Sequence, residues 1–374
     1  MMKTLFTILG WLIAVIFLIL SALCLWAGNW IPAIPLILAA VLLIPPLREK
    51  LSARLGISLP FWPRLVLIPL LFMLSVYLIF AGMGNKDSIY KNADIESRLM
   101  SIYDARMETF PVPYKSQYID TKYGKVHVII SGPEDGPPIL LLHASAMSSW
   151  SWLYNIKELN SKYRTYAIDT IGDAGKSVLS NIEVYPADGP SLAALYEEIM
   201  DSLDVASAYF IGASQGGYIS SNVALYAPER VNGLILCGPM GYTGTNASVF
   251  RILLTTMFPI PPLQNSATRW AFGDDPAINA VVSDWFGAIL EGVISRQARP
   301  APFSKDQINK IDMPVLLLLG SRDGLVGNPE DTEVLAENFP DARVHVLDTG
   351  HLISAEKPDR FNSLVMDFIE NRKE

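Results

Sequence analysis

Tyr209-Phe210-Ile211-Gly212-Ala213-Ser214-Gln215-Gly216-Gly217 is the stretch whose reading decides the fold. Its first four residues read as a buried strand, and Gln215–Tyr226 continues in a helical pattern. Between them lies a nucleophile-elbow pattern. Small residues on either side of Ser214 let the chain turn sharply, so the hydroxyl projects above a sheet at a helix N-terminus. Alone the pattern is weak, because a Gly-rich turn with a capping serine looks the same. The strand–turn–helix context strengthens it.

The neighbouring sequence repeats that alternation. Tyr118–Asp120 and Lys125–Ser131 flank Tyr123-Gly124 and read as a hairpin. Ile139–His143, Tyr166–Asp169, Leu234–Cys237, Val315–Gly320 and Val344–Leu347 are continuous apolar or β-branched runs, which suit strands buried on both faces. Helical patterns lie between them at Trp150–Asn160, Leu192–Leu203, Pro329–Asn338 and Pro358–Asn371. The expected class is α/β, with helices on both faces of a mostly parallel sheet. The alternation breaks between Cys237 and Val315, a stretch holding Met257, Phe258, Trp270, Phe272, Trp285 and Phe286. A structureless loop of that length is uncommon in a compact domain, so a helical insertion is expected there. Its aromatic residues form either its own core or the wall of an apolar pocket.

A serine hydroxyl needs a base, and the base needs an orienting acid. Of four histidines, His127 and His345 fall within strand runs and read as structural, and His143 ends a strand. His351 follows the last strand through Asp348-Thr349-Gly350, where a base can reach Ser214. Asp323 stands in Gly320-Ser321-Arg322-Asp323-Gly324, directly after a strand, and is the candidate acid. Asp348 is the runner-up. An oxyanion hole needs two backbone N–H groups. Gln215 supplies one, and Ser145, in His143-Ala144-Ser145-Ala146-Met147, is favoured for the other. The Ser145 hydroxyl either contacts ligand or caps the helix opening near Ser149, and capping is the preferred reading.

Taken together, residues from about 114 to 372 resemble the α/β-hydrolase superfamily. The matching stretches are Leu141-Leu142-His143-Ala144-Ser145, Asp169-Thr170-Ile171-Gly172-Asp173-Ala174-Gly175-Lys176-Ser177, the elbow, Asp323, and Gly350-His351 followed by Glu356, Pro358 and Phe361. The order Ser214, Asp323, His351 is the chain order of that superfamily's triad. Two positions depart from its habit: Ala144 replaces the usual glycine and Ala213 the frequent histidine. The resemblance implies an eight-stranded sheet with a cap after its sixth strand, at about residues 242–311.

Composition places a second material ahead of this body. Hydrophobic residues make up 51% and charged residues 18%, with mean hydropathy +0.29, which excludes a disordered chain. Residues 1–84 hold five basic residues (Lys3, Arg48, Lys50, Arg54, Arg64) and one acid, Glu49. The remainder holds 24 basic and 36 acidic residues, a poor surface for nucleic acid. Leu5–Ala27, Ile31–Leu47 and Leu65–Gly84 carry no charge. About 20 such residues cross a bilayer. Leu5–Ala27 is too long for the core of a signal peptide, the plain alternative. Prolines crowd the second run, leaving a re-entrant segment open. The basic segment Arg48–Arg64 belongs in the cytoplasm by the positive-inside rule. Three spans then place the body outside the cytoplasm.

The organisation expected is a multi-pass transmembrane region at 1–84, a polar, partly helical connector at 85–113, and a hydrolase domain at 114–374. The expected activity is serine hydrolysis of a carboxylic ester through an acyl-enzyme, at a bilayer, without cofactor or metal. The histidines show no ligand spacing, and the two cysteines, Cys24 and Cys237, read as buried hydrophobes. Thioester, amide and carbon–carbon cleavage, acyl transfer, and a silent ligand-binding or scaffold role on the same fold remain alternatives.

Overall fold

The computed structural model describes residues 2–26, 30–56, 60–83, 88–242, 255, 261–273, 275–326 and 336–371. Two compact units emerge: Met1–Gly84 with Leu253–Leu263, and Asn85–Ile252 with Gln264–Glu374.

The first unit is helical: Met2–Trp26, Trp30–Leu43, Pro45–Leu55 and Phe61–Met83. Ala14, Ala33, Ala39 and Ala40 are buried between these helices. Small side chains there let helices approach closely. The Ser75 hydroxyl donates to the Pro32 carbonyl at 2.8 Å, tying the last helix to the second. Outward faces carry Leu12, Ile19, Val66, Met73 and Tyr77, all exposed. Among the described residues, Thr7–Leu25 is the one helix long and apolar enough to cross a membrane. Pro63–Leu78 is shorter. Trp30–Leu43 bends by 100° into Pro45–Arg54, and that pair counts at most as one further candidate. Pro45 and Pro46 start the new helix, where missing N–H groups cost nothing.

The second unit is built on one sheet. Its strands are β1 Tyr114–Thr121, β2 Gly124–Ser131, β3 Pro138–Leu142, β4 Arg164–Ile168, β5 Val178–Leu179, β6 Ala208–Ala213, β7 Val231–Cys237, β8 Val315–Gly320 and β9 Ala342–Leu347. The order is β1-β2-β4-β3-β6-β7-β8-β9, with β5 pairing β2. All neighbours from β4 to β9 run parallel, while β2 runs antiparallel to β1, β4 and β5. The eight strands implied by the resemblance lie on the main path. The two residues of β5 add a ninth, too short to show a period in the sequence. Period-two alternation sorts the central strands between two cores. Ile139, Leu141, Ile211, Ile235 and Leu316 face one side, and Leu140, Leu142, Phe210, Leu234 and Leu317 the other.

The insertion follows β7 and carries helices Pro261–Phe272 and Pro276–Gly292. Asp275 caps the second, accepting from the Ala277 and Ile278 N–H groups. Phe272, Trp285 and Phe286 are buried, with Phe272 and Phe286 edge to face at 4.8 Å. Met257 and Phe258 lie outside the described residues, as does most of the helix expected at Pro329–Asn338.

The segment expected as a connector is packed rather than free. Asn92 caps the helix Ala93–Glu108. Leu99, Tyr103 and Met107 recur every four residues, lie on one face, and are buried in the same core as Trp150 and Trp285. Before this helix, Lys91 N–H donates to the Gly292 carbonyl and Ile294 N–H to the Ile89 carbonyl, both at 2.8 Å. These residues stitch the chain to the segment leaving the cap.

Candidate active site

Ser214 is the last residue before the helix Gln215–Tyr226 and has φ 50°, ψ −111°. A residue with a Cβ adopts such a conformation only when its surroundings impose it. Ser214 N–H donates to the Cys237 carbonyl at 2.9 Å, and its own carbonyl accepts from Tyr218 and Met240 N–H at 3.1 Å. Gly216 is required by a close approach: a Cβ there would lie 2.1 Å from the Leu142 carbonyl oxygen. The expected strand and helix thus meet in a sharp, backbone-locked turn.

Asp323 follows β8 and His351 follows β9. Asp323 Oδ2 and His351 Nδ1 are 2.7 Å apart, both almost fully buried. A carboxylate at Nδ1 keeps the proton on that nitrogen and leaves Nε2 as the acceptor. Asp323 Oδ1 also accepts from Leu325 and Val326 N–H. Burial pushes the Asp323 carboxyl up, but His351 and these two N–H groups outweigh it and hold the group below its ordinary value. Asp348, the runner-up, is exposed and bound to Arg322 at 2.8 Å. Cys237-Gly238 joins the two halves of the site. Cys237 takes the Ser214 N–H, and a Cβ on Gly238 would lie 3.1 Å from Asp323 Oδ2 and 3.4 Å from His351 Nδ1.

The loop after β3 lies beside this point. His143 braces it, its Nδ1 facing the Ala144 carbonyl at 2.8 Å and its Nε2 accepting Thr170 N–H at 2.9 Å. Neither Ser145 N–H nor Gln215 N–H has an acceptor among the described residues. The Ser145 hydroxyl does not cap the helical turn at Ser149: it contacts Gln297 Oε1 at 3.4 Å, while Ser149 N–H goes to Asp169 Oδ1. Ser148 holds the N-cap position of that turn, which puts Ser145 too far back in the chain to serve it. A narrow apolar pocket of about 30 Å³ adjoins the site. Its walls include Ala144, Ala213 and Leu352, next to the three candidate site segments, and Trp150, Ile278 and Val282. A larger cavity of about 350 Å³, lined by Tyr90, Asp104, Tyr118 and Lys176, includes no candidate catalytic residue.

Some polar groups near the site were not given a role from sequence. Asp173, wholly buried, takes the Ala146 N–H, and Trp285 donates its indole N–H to the Ala146 carbonyl. His127 pairs with Asp169 at 2.9 Å and lies near the Tyr103 hydroxyl. Asp173 stands between two glycines in Gly172-Asp173-Ala174-Gly175, and an acid inside so tight a turn is the signal that marks it. Among the described residues, no group of three or more His, Cys, Asp or Glu side chains could hold a metal ion.

A mostly parallel sheet, a strained serine at the β6-to-helix turn, and an Asp–His pair past the ends of β8 and β9 define a hydrolase of the α/β type. The chain belongs to the α/β-hydrolase superfamily: the model of the alpha/beta hydrolase fold matches residues 137–277, and carboxylesterases of that superfamily match much more of it. An uncharacterized carboxylesterase, nap, of Bacillus subtilis is 32% identical over 300 residues, spanning 76% of this chain and 96% of the relative. Carboxylesterase YbfK of the same organism is 29% identical over 288 residues, 74% of this chain and 96% of its own length. The crystal structure of naproxen esterase (carboxylesterase NP) from Bacillus subtilis superposes with a TM-score of 0.69 at 30% identity, covering 74% of this chain and 99% of that one. These relatives support a hydrolase acting on small-molecule esters.

Proposed function

We propose that the protein is a membrane-anchored serine hydrolase that cleaves a carboxylic ester through an acyl-enzyme. Ser214 Oγ attacks the carbonyl, and His351 Nε2 takes its proton and returns it to the leaving alcohol. Asp323 holds the imidazole in the working tautomer. The N–H groups of Gln215 and Ser145 receive the developing oxyanion. Water then repeats the sequence and frees the acid. The observation that carries this reading is the buried 2.7 Å Asp323–His351 contact set against Gly238, one residue from the carbonyl that holds the elbow. The apolar pocket favours an ester with a hydrophobic substituent. The domain division, with hydrolase residues at 114–374, a cap at about 242–311 and spans within 1–84, belongs to the same reading, as does an extracytoplasmic body. The apolar helix Thr7–Leu25 and the outward apolar faces of its neighbours support the anchor. The test is a p-nitrophenyl ester series of rising chain length with wild type and Ser214→Ala, alongside fluorophosphonate labelling. Loss of turnover and of labelling in the variant is expected. Retained turnover in Ser214→Ala would sink the mechanism.

A further inference from the structure

The peptide of Ala146 is gripped from both sides. Its N–H donates to Asp173 Oδ2 at 2.8 Å, and its carbonyl accepts the Trp285 indole N–H at 2.8 Å. The turn it belongs to closes through Met147 N–H to the Ala144 carbonyl at 3.1 Å. Ala146 occupies that turn at φ 61°, a left-handed conformation that is strained for a residue with a Cβ and therefore needs outside support.

Asp173 is built into its place as firmly as it builds the loop. Its Oδ1 accepts Ala174 N–H and the Ser295 hydroxyl, both at 2.8 Å. Ser295 lies on the strap that leaves the cap. The next residue of that strap, Arg296, donates its N–H to the Gly172 carbonyl at 2.6 Å. Gly172 has φ 81°, and a Cβ there would fall 2.0 Å from the Arg296 carbonyl oxygen, so strap and turn meet backbone to backbone. Gln297, one residue further, contacts Ser145. Trp285 comes from the cap helix Pro276–Gly292.

Among the described residues, no lysine or arginine pairs with Asp173. Its donors among the described residues are neutral: two backbone N–H groups and a hydroxyl. A wholly buried carboxylate is costly to keep for packing alone, since an apolar residue of similar volume would serve as well. What the carboxylate does is fix the direction of the peptide that follows Ser145.

We infer that Asp173 is a positioning residue for ester hydrolysis: with Trp285 it locks the Ala146 peptide so that Ser145 N–H faces the oxyanion. The inference rests on the reading of Ser214 as nucleophile. It also links cap to chemistry, because Trp285 reaches the loop, and Ser295 reaches Asp173, from cap segments. Oxyanion donors act only when held within tenths of an ångström of their place.

The test uses the full-length protein, with active sites counted by fluorophosphonate titration so that misfolded molecules drop out. Asp173→Asn keeps the shape but sets an N–H₂ against at least one of its donors. The expected result is a kcat per titrated site lower by roughly ten- to a hundredfold, with KM within about twofold. The Ki of a trifluoromethyl ketone, whose adduct needs the oxyanion hole, rises by the same factor. Trp285→Phe keeps the ring and removes the N–H, and a fall of roughly three- to tenfold in kcat per titrated site is expected. A merely structural role would change the number of titratable sites and leave kcat per site and Ki alone. Unchanged kcat per site and Ki in Asp173→Asn, with Ser214→Ala inactive, overturns the inference and leaves the nucleophile standing. If Asp173→Asn yields no titratable sites, an unchanged Trp285→Phe overturns it. Turnover by Ser214→Ala would instead remove the reading beneath it.

Discussion

Among the described residues two sets of hydroxyl, imidazole and carboxylate invite comparison: the proposed Ser214, His351 and Asp323, joined at the Asp323–His351 contact, and Ser116, His127 and Asp169. In the second, Ser116 Oγ lies 2.7 Å from His127 Nε2, and His127 Nδ1 lies 2.9 Å from Asp169 Oδ2. Those are the contacts a catalytic triad requires. Yet Ser116 is exposed in the middle of β1, opposite Ile129 in regular antiparallel register. No turn presents it and no helix begins after it. Ser214 instead occupies a strained elbow with a helix N-terminus behind it. The carboxylates differ in kind too. Asp169 is a structural hub that also takes Ser149 and Lys176 N–H, while the Ser177 hydroxyl donates to its backbone carbonyl. A proton relay is therefore not what makes a nucleophile. On the proposed reading, placement at an elbow beside N–H donors and a pocket is.

The largest effect would break this contrast outright. Ser214→Ala is expected to lower kcat/KM by about 10⁴-fold or more, with Ser116→Ala within twofold of wild type. Fluorophosphonate should mark Ser214 alone by peptide mass spectrometry, and a label on Ser116 would show that the relay suffices. Next come the two acids. Asp323→Asn should cost roughly 10³- to 10⁴-fold in kcat through the wrong imidazole tautomer. Asp169→Asn should leave kcat per titrated site near wild type but lower unfolding stability by about 3–5 kcal/mol, because it strands a buried partner. Urea denaturation checks the second.

Acid sharpens the comparison further. Burial raises Asp169, but the hydrogen bond and charge of His127 prevail and hold it at about 2. A carboxyl lowered by folding contributes stability above its unfolded value of about 3.9, and that contribution is lost as pH falls toward the folded value. The urea midpoint should therefore drop between about pH 4 and pH 2, and drop less steeply in Asp169→Asn. Asp323 is shifted the same way. Asp173 runs opposite: burial raises it above its ordinary value, so its contribution fades as pH rises. The smallest effect is Tyr103→Phe. It removes a 2.7 Å contact with Ser149 beside His127, and about 1 kcal/mol of stability should go with no change in kcat.

What the sequence made legible was local. The elbow, Asp323 and His351 each sit a few residues past an apolar run, so a strand reading places them at the sheet's carboxyl edge. Hidden were contacts whose partners share no local signal: Trp285 reaches Ala146 across 139 positions, and Asp173 reaches it across 27. The Leu99, Tyr103 and Met107 stripe was visible as spacing, but the charges around it made the segment look solvated. The short second helix of the first unit and its 100° bend follow from prolines whose position shows in sequence, while the angle they produce does not.

The stitch between residues 89–91 and 292–294 bears on where the enzyme can be cut free of its apolar helices. A shortened polypeptide beginning at Tyr114 would discard the helix Ala93–Glu108 and open a greasy slot beside Trp150 and Trp285. It would also leave the Gly292 carbonyl and the Ile294 N–H to water. One beginning at Ser88 would keep both. The shortest piece that keeps this core closed therefore starts about 25 residues upstream of the first strand, on the far side of what reads as a tether.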